Sequence, residues 1–351
     1  FDPEWPALEE LSATLTVDNS TMVIAAQHGQ FGKLTLNNDV VATIHLDTAT
    51  TDLHLSLTPE SLELTQFHDL IDHSPLEDII GDVFDFVRLS GSSTANVDIT
   101  IPLDDELDAN GQPREVIAEG KVYTASASVS LPEINLDFSK VSSSVSFRND
   151  VFSVDVSTAH LFDLPVNFNV SGGQTTTGYE LDGELIALWS KKQIADLYPL
   201  PVMKYANGDT NTSVNLKVNI TGNEYQYFVN SKTDLTQAEY DITHPIRNRI
   251  GEYSSLGWSL IGDQESNSLT ANLDNLLYFE GEIPSGAGRL TQAHLRVGDD
   301  NINLPEQGFD ISINTKEMEF EPTLSFVLDI IDSIPESESQ EPGVLDIPFA
   351  I

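Results

Sequence analysis

The strand pattern of this chain is clearest at residues 123–131, which read YTASASVSL. Apolar and aromatic side chains alternate there with Thr and Ser. Successive side chains of a β-strand point to opposite faces, so this alternation predicts a strand with one apolar face and one polar face. The sequence lacks the continuous apolar runs that are typical of parallel strands buried on both faces. The segment therefore predicts an antiparallel sheet that is exposed to water on one side.

The same period of two recurs along most of the chain. Its apolar positions before the quoted segment are Ala95, Val97, Ile99 and Ile101, and those after it are Leu136, Phe138, Val145, Phe147, Val154, Leu164, Val166, Phe168, Leu216 and Val218. Turn sequences such as Asn110-Gly111 and Gly172-Gly173 separate the strands. The pattern predicts a mainly β fold.

Two stretches depart from this period and predict short amphipathic helices. Ser74 is a suitable N-cap, Pro75 suits the first helical position, and Glu77 completes a capping box. Four apolar side chains then follow at helical spacing, namely Leu76, Ile79, Ile80 and Val83. We expect them to press on the apolar side of the sheet and to close it locally. A shorter helix is predicted from Ser190 to Tyr198.

The chain also repeats itself. A shift of 130 residues, without a gap, places the segment that begins at Leu11 on the segment that begins at Val141, and Asn19 on Asn149. Farther along, Gly91 and its strand match Gly208 and its strand. Repeats of one β unit stack along an axis and bury their ends on their neighbours. We therefore predict one continuous fragment over residues 1–351, with repeat units at approximately 1–130 and 131–260 and a partial third at 261–351.

The composition excludes several classes of function. The chain has 16 Lys and Arg against 56 Asp and Glu, a formal net charge of −40. Nucleic acid requires a basic surface, so it is not an expected partner. The sequence contains no Cys, no His-Glu-x-x-His and no Gly-x-Ser-x-Gly motif. We predict that the protein is not an enzyme, with no catalytic residues, no metal and no cofactor.

The ends of the sequence indicate an internal fragment of a longer protein. The chain opens at Phe1 without a Met or a signal peptide, and Val344–Ile351 resembles the start of another strand. No run of about 18 apolar residues is present, which is the length that a membrane-spanning helix needs. Any membrane contact is therefore expected through parts outside this sequence.

The one-sided strands leave two architectures open. The apolar faces could form a core, either between two stacked sheets or inside a sheet closed on itself. Alternatively, one long curved sheet could keep its concave apolar face open as a groove. A large exposed apolar strip is typical of a binding surface, and acyl chains would suit it because burial contributes about 0.8 kcal/mol per methylene.

Several motifs carry a family resemblance. They are Trp5-Pro6-Ala7-Leu8 with the strand Leu11–Val17, Ser74-Pro75-Leu76 leading to Gly91 and Ile101-Pro102-Leu103, the hairpin Val141–Asp150, and Leu290–Gly298 followed by Gly308-Phe309. Together they resemble the repeats of YhdP-type proteins, large members of the AsmA-like, repeating β-groove superfamily. The resemblance implies an elongated, twisted antiparallel β-groove (a β-taco) with one or two short helices.

The resemblance also implies a function. Such proteins lie in the periplasm of Gram-negative bacteria, are anchored in the inner membrane, and carry phospholipid acyl chains between the inner and outer membranes in support of the outer-membrane permeability barrier. The alternative is a structural or adhesive β-repeat protein whose apolar face is only packed core. The family implies no catalytic residues, so only inward strand positions are candidate sites. The predicted groove lining is Val97, Ile99, Ile101, Tyr123, Ala125, Ala127, Val129, Leu131, Leu136, Phe138, Val145, Phe147, Val154, Leu164, Val166, Phe168, Leu216 and Val218, with Asp98, Ser126 and Asn167 facing water.

Overall fold

The computed structural model describes residues 7–37, 39–47, 50–66, 73, 87–104, 106–107, 111–132, 136–197, 204–222, 224–243, 246–284, 291–298, 304–305 and 308–333. Strands make up 71 % of the structure and helices 8 %, which confirms the mainly β class. The helix predicted from Ser74, with Leu76, Ile79, Ile80 and Val83, lies outside the described residues.

The chain divides into two units. Unit 1 comprises Phe1–His160 and Asn169–Tyr179, and unit 2 comprises Leu161–Phe168 and Glu180–Ile351. Strand β12 (Leu164–Gln174) is divided between the two, and the strands before and after it each extend one residue across the boundary. The other strands of unit 1 are β1 (Leu8–Asp18), β2 (Thr21–Phe31), β3 (Leu34–Leu36), β4 (Val40–His45), β5 (Asp52–Leu57), β6 (Leu62–Glu63), β7 (Arg88–Ser90), β8 (Ser92–Pro102), β9 (Ile117–Leu131), β10 (Leu136–Arg148) and β11 (Val151–Leu161).

The main strands of unit 1 form one antiparallel succession. Their order is β1, β2, β4, β5, β8, β9, β10, and each is hydrogen-bonded to the next. Three short strands add to it, because β3 pairs with β2, β6 with β8 and β7 with β9. The strand alternation predicted from the sequence therefore builds a broad sheet in which the two faces differ in polarity.

Unit 2 repeats this construction with two helices. Its elements are β13 (Tyr179–Ser190), α1 (Lys191–Leu197), β14 (Ala206–Thr221), β15 (Glu224–Asp234), β16 (Ala238–Thr243), β17 (Ile246–Asn248), β18 (Ser255–Asp263), β19 (Ser266–Leu273), β20 (Leu277–Pro284), β21 (Gln292–Gly298), β22 (Gly308–Asn314) and α2 (Phe320–Ser333). The order β14, β15, β18, β19, β20, β21 is antiparallel, and β22 joins β21 in parallel. The hairpin β16–β17 pairs with the start of β14.

The helix predicted from Ser190 to Tyr198 is present as α1. Ser190 Oγ accepts a hydrogen bond from the backbone N–H of Gln193 at 3.2 Å, and Gln193 Oε1 accepts one from the backbone N–H of Ser190 at 2.9 Å. This reciprocal pair is a capping box, which satisfies N–H groups that the first turn of a helix leaves free. The apolar face of α1 is anchored by Ile194, which is 2 % exposed.

Backbone bends recur at the spacing of the predicted repeat. Strands Thr21–Phe31 and Val151–Leu161 are 130 residues apart at both ends. Positive φ angles recur at the same distance, with 52° at Asn19 and 50° at Asn149, and 50° at Glu10 and 51° at Lys140. Left-handed backbone is unfavourable for most residues, so matching positions are informative. These matches support the repeat, whose boundaries remain a prediction.

Candidate functional site

The apolar face of unit 1 consists of side chains that stand opposite one another on successive strands. Its central row is Leu15, Ile24, Ala42, Leu55, Ile99 and Ala118, from β1 to β9. A second row is Val17, Met22, Ile44, Leu53 and Ile101. A third is Val40, Leu57, Val97, Gly120 and Phe147. The register therefore joins single apolar strand faces into one surface.

This surface is only partly covered. Ile99 is 8 % exposed, but Leu15 is 60 % exposed, and Ile24, Leu55 and Val97 are half-buried. A face packed against a second layer buries its aliphatic side chains almost fully. The apolar face of unit 1 therefore differs from a packed core, because most of its side chains remain accessible to solvent.

The opposite face of unit 1 is polar and has its own cross-strand bonds. Gln27 Nε2 donates to Thr14 Oγ1 at 3.0 Å, and His54 Nδ1 lies 3.2 Å from Thr100 Oγ1. Asp98, predicted to face water, is exposed on this face and accepts a hydrogen bond from Ser56. The sheet thus separates an apolar surface from a hydrated one.

Arg114 lies at the start of β5 and the end of β8 in unit 1. Its guanidinium donates to Asp52 Oδ1 at 2.6 Å and to Asp104 Oδ1 at 2.8 Å. The backbone N–H of Thr51 donates to the other oxygen of Asp104. This N–H holds the pKa of Asp104 below its usual range, and the Glu106 N–H and then Arg114 lower it further. The three side chains fasten the loop after β8 to the start of β5.

Replacing Arg114 by Ala is expected to raise the pKa of Asp104 toward its ordinary value without reaching it, because the Thr51 N–H remains. A carboxyl with a lowered pKa contributes stability that is lost as the pH falls through its folded-state value. The variant should therefore lose less stability on acidification. Carbon-13 NMR titration of the carboxyl groups measures the shift. Asp263, whose pKa is lowered by the backbone N–H groups of Glu265 and Ser266, is the control and should not move.

The apolar face of unit 2 has the same construction over β14 to β22. One row is Leu216, Val229, Leu260, Leu269, Gly281, Ala293 and Phe309, and the next is Val214, Ser231, Trp258, Ala271, Phe279, Leu295 and Ile311. Leu260, Leu269 and Leu295 are buried, whereas Val229 and Trp258 are half-buried. These two rows, here called the stripe, run across the strands.

One side of the stripe is closed by Tyr227. Its ring lies over Gly262, where a Cβ would approach the ring to 2.5 Å, and its hydroxyl donates to Asn267 Oδ1. Burial, with the neighbouring Tyr225 and Asp263, raises the pKa of Tyr227 to about 12, so the hydroxyl remains a donor near neutral pH. Ile220 beside it is 2 % exposed. This side of the sheet is therefore well packed.

The other side of the stripe is closed by a core built on the β16–β17 hairpin. Its buried members are Leu235, Ala238, Tyr240, Ile242, Ile246, Val297 and Phe326 of α2, and they pack against Leu256, Leu273 and Leu277. Tyr240 Oη lies 2.9 Å from Ser254 Oγ, and Ser254 Oγ donates to Asp274 Oδ2 at 2.7 Å. The stripe is thus an apolar strip with a packed border on each side.

The predicted groove lining is distributed over both units. The cross-strand rows of unit 1 contain Val97, Ile99, Ile101 and Phe147. Val145 belongs to the same unit and pairs with Val122. Leu131 pairs with Leu136 and Val129 with Phe138, all half-buried, and Ala127 is 2 % exposed. Val154 is half-buried. Five predicted positions lie in unit 2, where Leu164, Val166 and Val218 are buried and Phe168 and Leu216 are half-buried. Ser126 and Asn167 are exposed, as predicted for water-facing positions.

Tyr123 and Ala125, which alternation predicts in the groove lining, are not among the covered positions of β9. Tyr123 pairs with Thr94 and Ser144 and is 46 % exposed, and Ala125 is exposed. The pairing of β9 with β10 shifts register between Thr124 and Ala127. A β-bulge of this kind adds a residue to one strand and changes which positions face inward. The covered positions of β9 consequently change from Ala118 and Val122 to Ala127 and Val129.

In the part of the chain that the structure describes, no group of His, Asp and Glu side chains is arranged to hold a metal ion. No helix among the same residues is long and apolar enough to cross a membrane. The arrangement that stands out is the pair of accessible apolar faces, which suit an apolar ligand.

The chain is similar in sequence to known proteins. The family model described as YhdP protein matches residues 1–351. The intermembrane phospholipid transporter YhdP of Escherichia coli (strain K12) is 23 % identical over 283 residues, which is 78 % of this chain and 21 % of that protein. The chain thus spans about a fifth of the length of that relative. No solved structure matches this chain.

Proposed function

This chain belongs to the YhdP protein family, and on that premise we propose that it binds phospholipid acyl chains on its two apolar faces. It does so as a periplasmic segment of a longer conduit between the inner and outer membranes of a Gram-negative cell. The relative named as an intermembrane phospholipid transporter supports the substrate class. The whole conduit would support the outer-membrane permeability barrier, with membrane contacts made by parts outside this segment.

The observation that carries this proposal is the incomplete burial of aligned apolar rows. Side chains such as Leu53, Leu55 and Val229 are half-buried, whereas Ile246 in the hairpin core is 1 % exposed. Each methylene of a lipid tail that leaves water for such a surface contributes about 0.8 kcal/mol. An extended acyl chain can therefore be held without any specific polar contact, which suits a surface that lipids must also leave.

The net charge fits a ligand that is held by its tail. With a formal charge of −40, the protein attracts no anionic headgroup by long-range electrostatics. Binding would then depend on apolar contact rather than on salt-sensitive ion pairs. The second candidate, a structural or adhesive β-repeat, would need these faces to be covered by other protein.

Photo-crosslinking distinguishes the two candidates. A photoreactive amino acid placed at Leu55 or Leu216, on the apolar faces, is expected to capture phospholipid from vesicles of phosphatidylethanolamine and phosphatidylglycerol. The matched controls are His54 and Asn215, each one residue away, exposed and on the opposite face. Mass spectrometry of the adducts should show several-fold more lipid at the apolar positions. Equal capture on both faces, or none, would favour the structural β-repeat.

A further inference from the structure

Ser231 is the polar residue in the stripe of unit 2. It lies on β15 opposite Val214 of β14 and opposite Trp258 of β18. Ser231 is 8 % exposed, and within the described ranges its hydroxyl has no hydrogen-bond partner. Buried hydroxyl groups are normally hydrogen-bonded, because an unpaired one has lost water without replacement. The Ser231 hydroxyl is therefore available to bond a group of a ligand.

A pair of hydroxyls lies beside Ser231 in the next row. Thr212 Oγ1 and Thr233 Oγ1 are 2.9 Å apart, and the two residues are 9 % and 1 % exposed. Each Thr hydroxyl has one hydrogen, so one of them donates to the other and the second hydrogen is directed elsewhere. Ser231 of the stripe, with Thr212 and Thr233 of the adjoining row, is here called the hydroxyl notch.

The chemistry of the notch selects its ligand. Hydroxyl groups can donate to an acceptor, and the rows that contain them hold no Lys, Arg, Asp or Glu from β14 to β22. A phosphate or carboxylate would be left there without a counter-charge, which is unfavourable in an apolar setting. A neutral acceptor fits. In a diacyl phospholipid the neutral acceptors are the ester carbonyls, which begin the acyl chains.

We propose that Ser231 donates a hydrogen bond to an ester carbonyl of a bound phospholipid and so fixes the position of its acyl chains on the stripe. This subsite rests on the proposed function and specifies the ligand as an ester-linked lipid. Rotation about the Ser231 Cα–Cβ bond reaches three staggered positions, which lets the hydroxyl turn toward the ligand.

The test compares two phosphatidylethanolamines that have the same chain length, one with ester-linked and one with ether-linked chains. Each competes, in vesicles, against a fluorescent phospholipid bound to the protein. Ester lipid is expected to compete about 2- to 12-fold better with the wild-type chain, the ratio that one neutral hydrogen bond supplies. Ser231→Ala should bring the ratio to about one. Ser259→Ala is the control and should retain the preference, since Ser259 bonds Thr270 at 2.7 Å on the polar face.

Several outcomes would overturn the subsite. If the wild type shows no ester preference, or if the preference persists in Ser231→Ala, the Ser231 hydroxyl does not donate a hydrogen bond to the ester carbonyl. Ser231→Ala removes an unpaired group and should not lower the melting temperature; a clear decrease would assign the hydroxyl a structural role instead. If neither lipid competes, the proposed function itself fails, and the subsite with it.

Discussion

Replacing Val229 by Asp is expected to weaken phospholipid binding by roughly 30- to 150-fold, which corresponds to a loss of about 2–3 kcal/mol. Val229 stands in the stripe between Leu216 and Leu260. A carboxylate at this position keeps part of its hydration because the site is half-buried, so the protein itself should fold. An acyl chain laid across it would displace that water without providing a hydrogen bond. The penalty therefore falls on binding rather than on folding.

The control for this variant is the neighbouring residue. Asn230→Asp introduces the same side chain one position away, and Asn230 is exposed on the polar face. Both variants add one negative charge, so a general electrostatic effect would alter them equally. Titration with a fluorescent phospholipid gives the affinities, and circular dichroism melts verify the fold. Equal affinities for the two variants would contradict an acyl-chain site on the stripe.

Much of the sheet could be predicted from the sequence because alternation is a local property. Val97, Ile99 and Ile101 are assigned to one face by their own strand, whatever its neighbours. The β9 bulge was not predictable in this way. The segment from Tyr123 to Leu131 alternates without interruption, and only its pairing with β10 forces the extra residue. Such a shift depends on two strands at once, so one strand's pattern cannot locate it.

The full extent of each apolar face also depends on register. Leu15, Ile24 and Leu55 belong to the central row of unit 1, but they join it through partners on other strands. Their own segments also alternate, but the pattern of one strand does not show which residue of another strand lies opposite. In unit 2, Val229 and Trp258 likewise join the stripe through their partners on neighbouring strands. A sequence indicates which face is apolar, whereas pairing decides which apolar residues become neighbours.

Helix α2 and the hairpin core were not predicted. Pro322 near the start of α2 is a local signal for a helix N-terminus, and it was available in the sequence. Phe320, Leu324 and Leu328 share one face of α2, and that face is exposed. Helical spacing alone would therefore have indicated the wrong buried face. Phe326 is the side chain that packs against the hairpin. Tertiary contact, rather than the strongest apolar pattern, determines the inward side here.

The hairpin core is expected to carry a large share of the stability of unit 2. Ile246 is 1 % exposed and packs among Leu235, Tyr240 and Phe326. Truncation to Ala removes three carbon atoms and leaves a cavity that rigid neighbours fill only partly. Substitutions of this kind lower the free energy of unfolding by about 2–5 kcal/mol. Urea denaturation, followed by tryptophan emission, measures the change.

Ile250→Ala tests whether burial, and not the loss of an isoleucine, is responsible. Ile250 follows the same hairpin but is 55 % exposed, so its truncation should change stability by less than about 0.5 kcal/mol. If both variants lose equal stability, the burial of Ile246 is not the cause of the loss. If Ile246→Ala alone is destabilised but still binds lipid below its unfolding transition, the border is structural and the stripe itself holds the acyl chain. That separation is expected because Ile246 lies outside both rows of the stripe and reaches it only through the packing of Leu256 and Leu273.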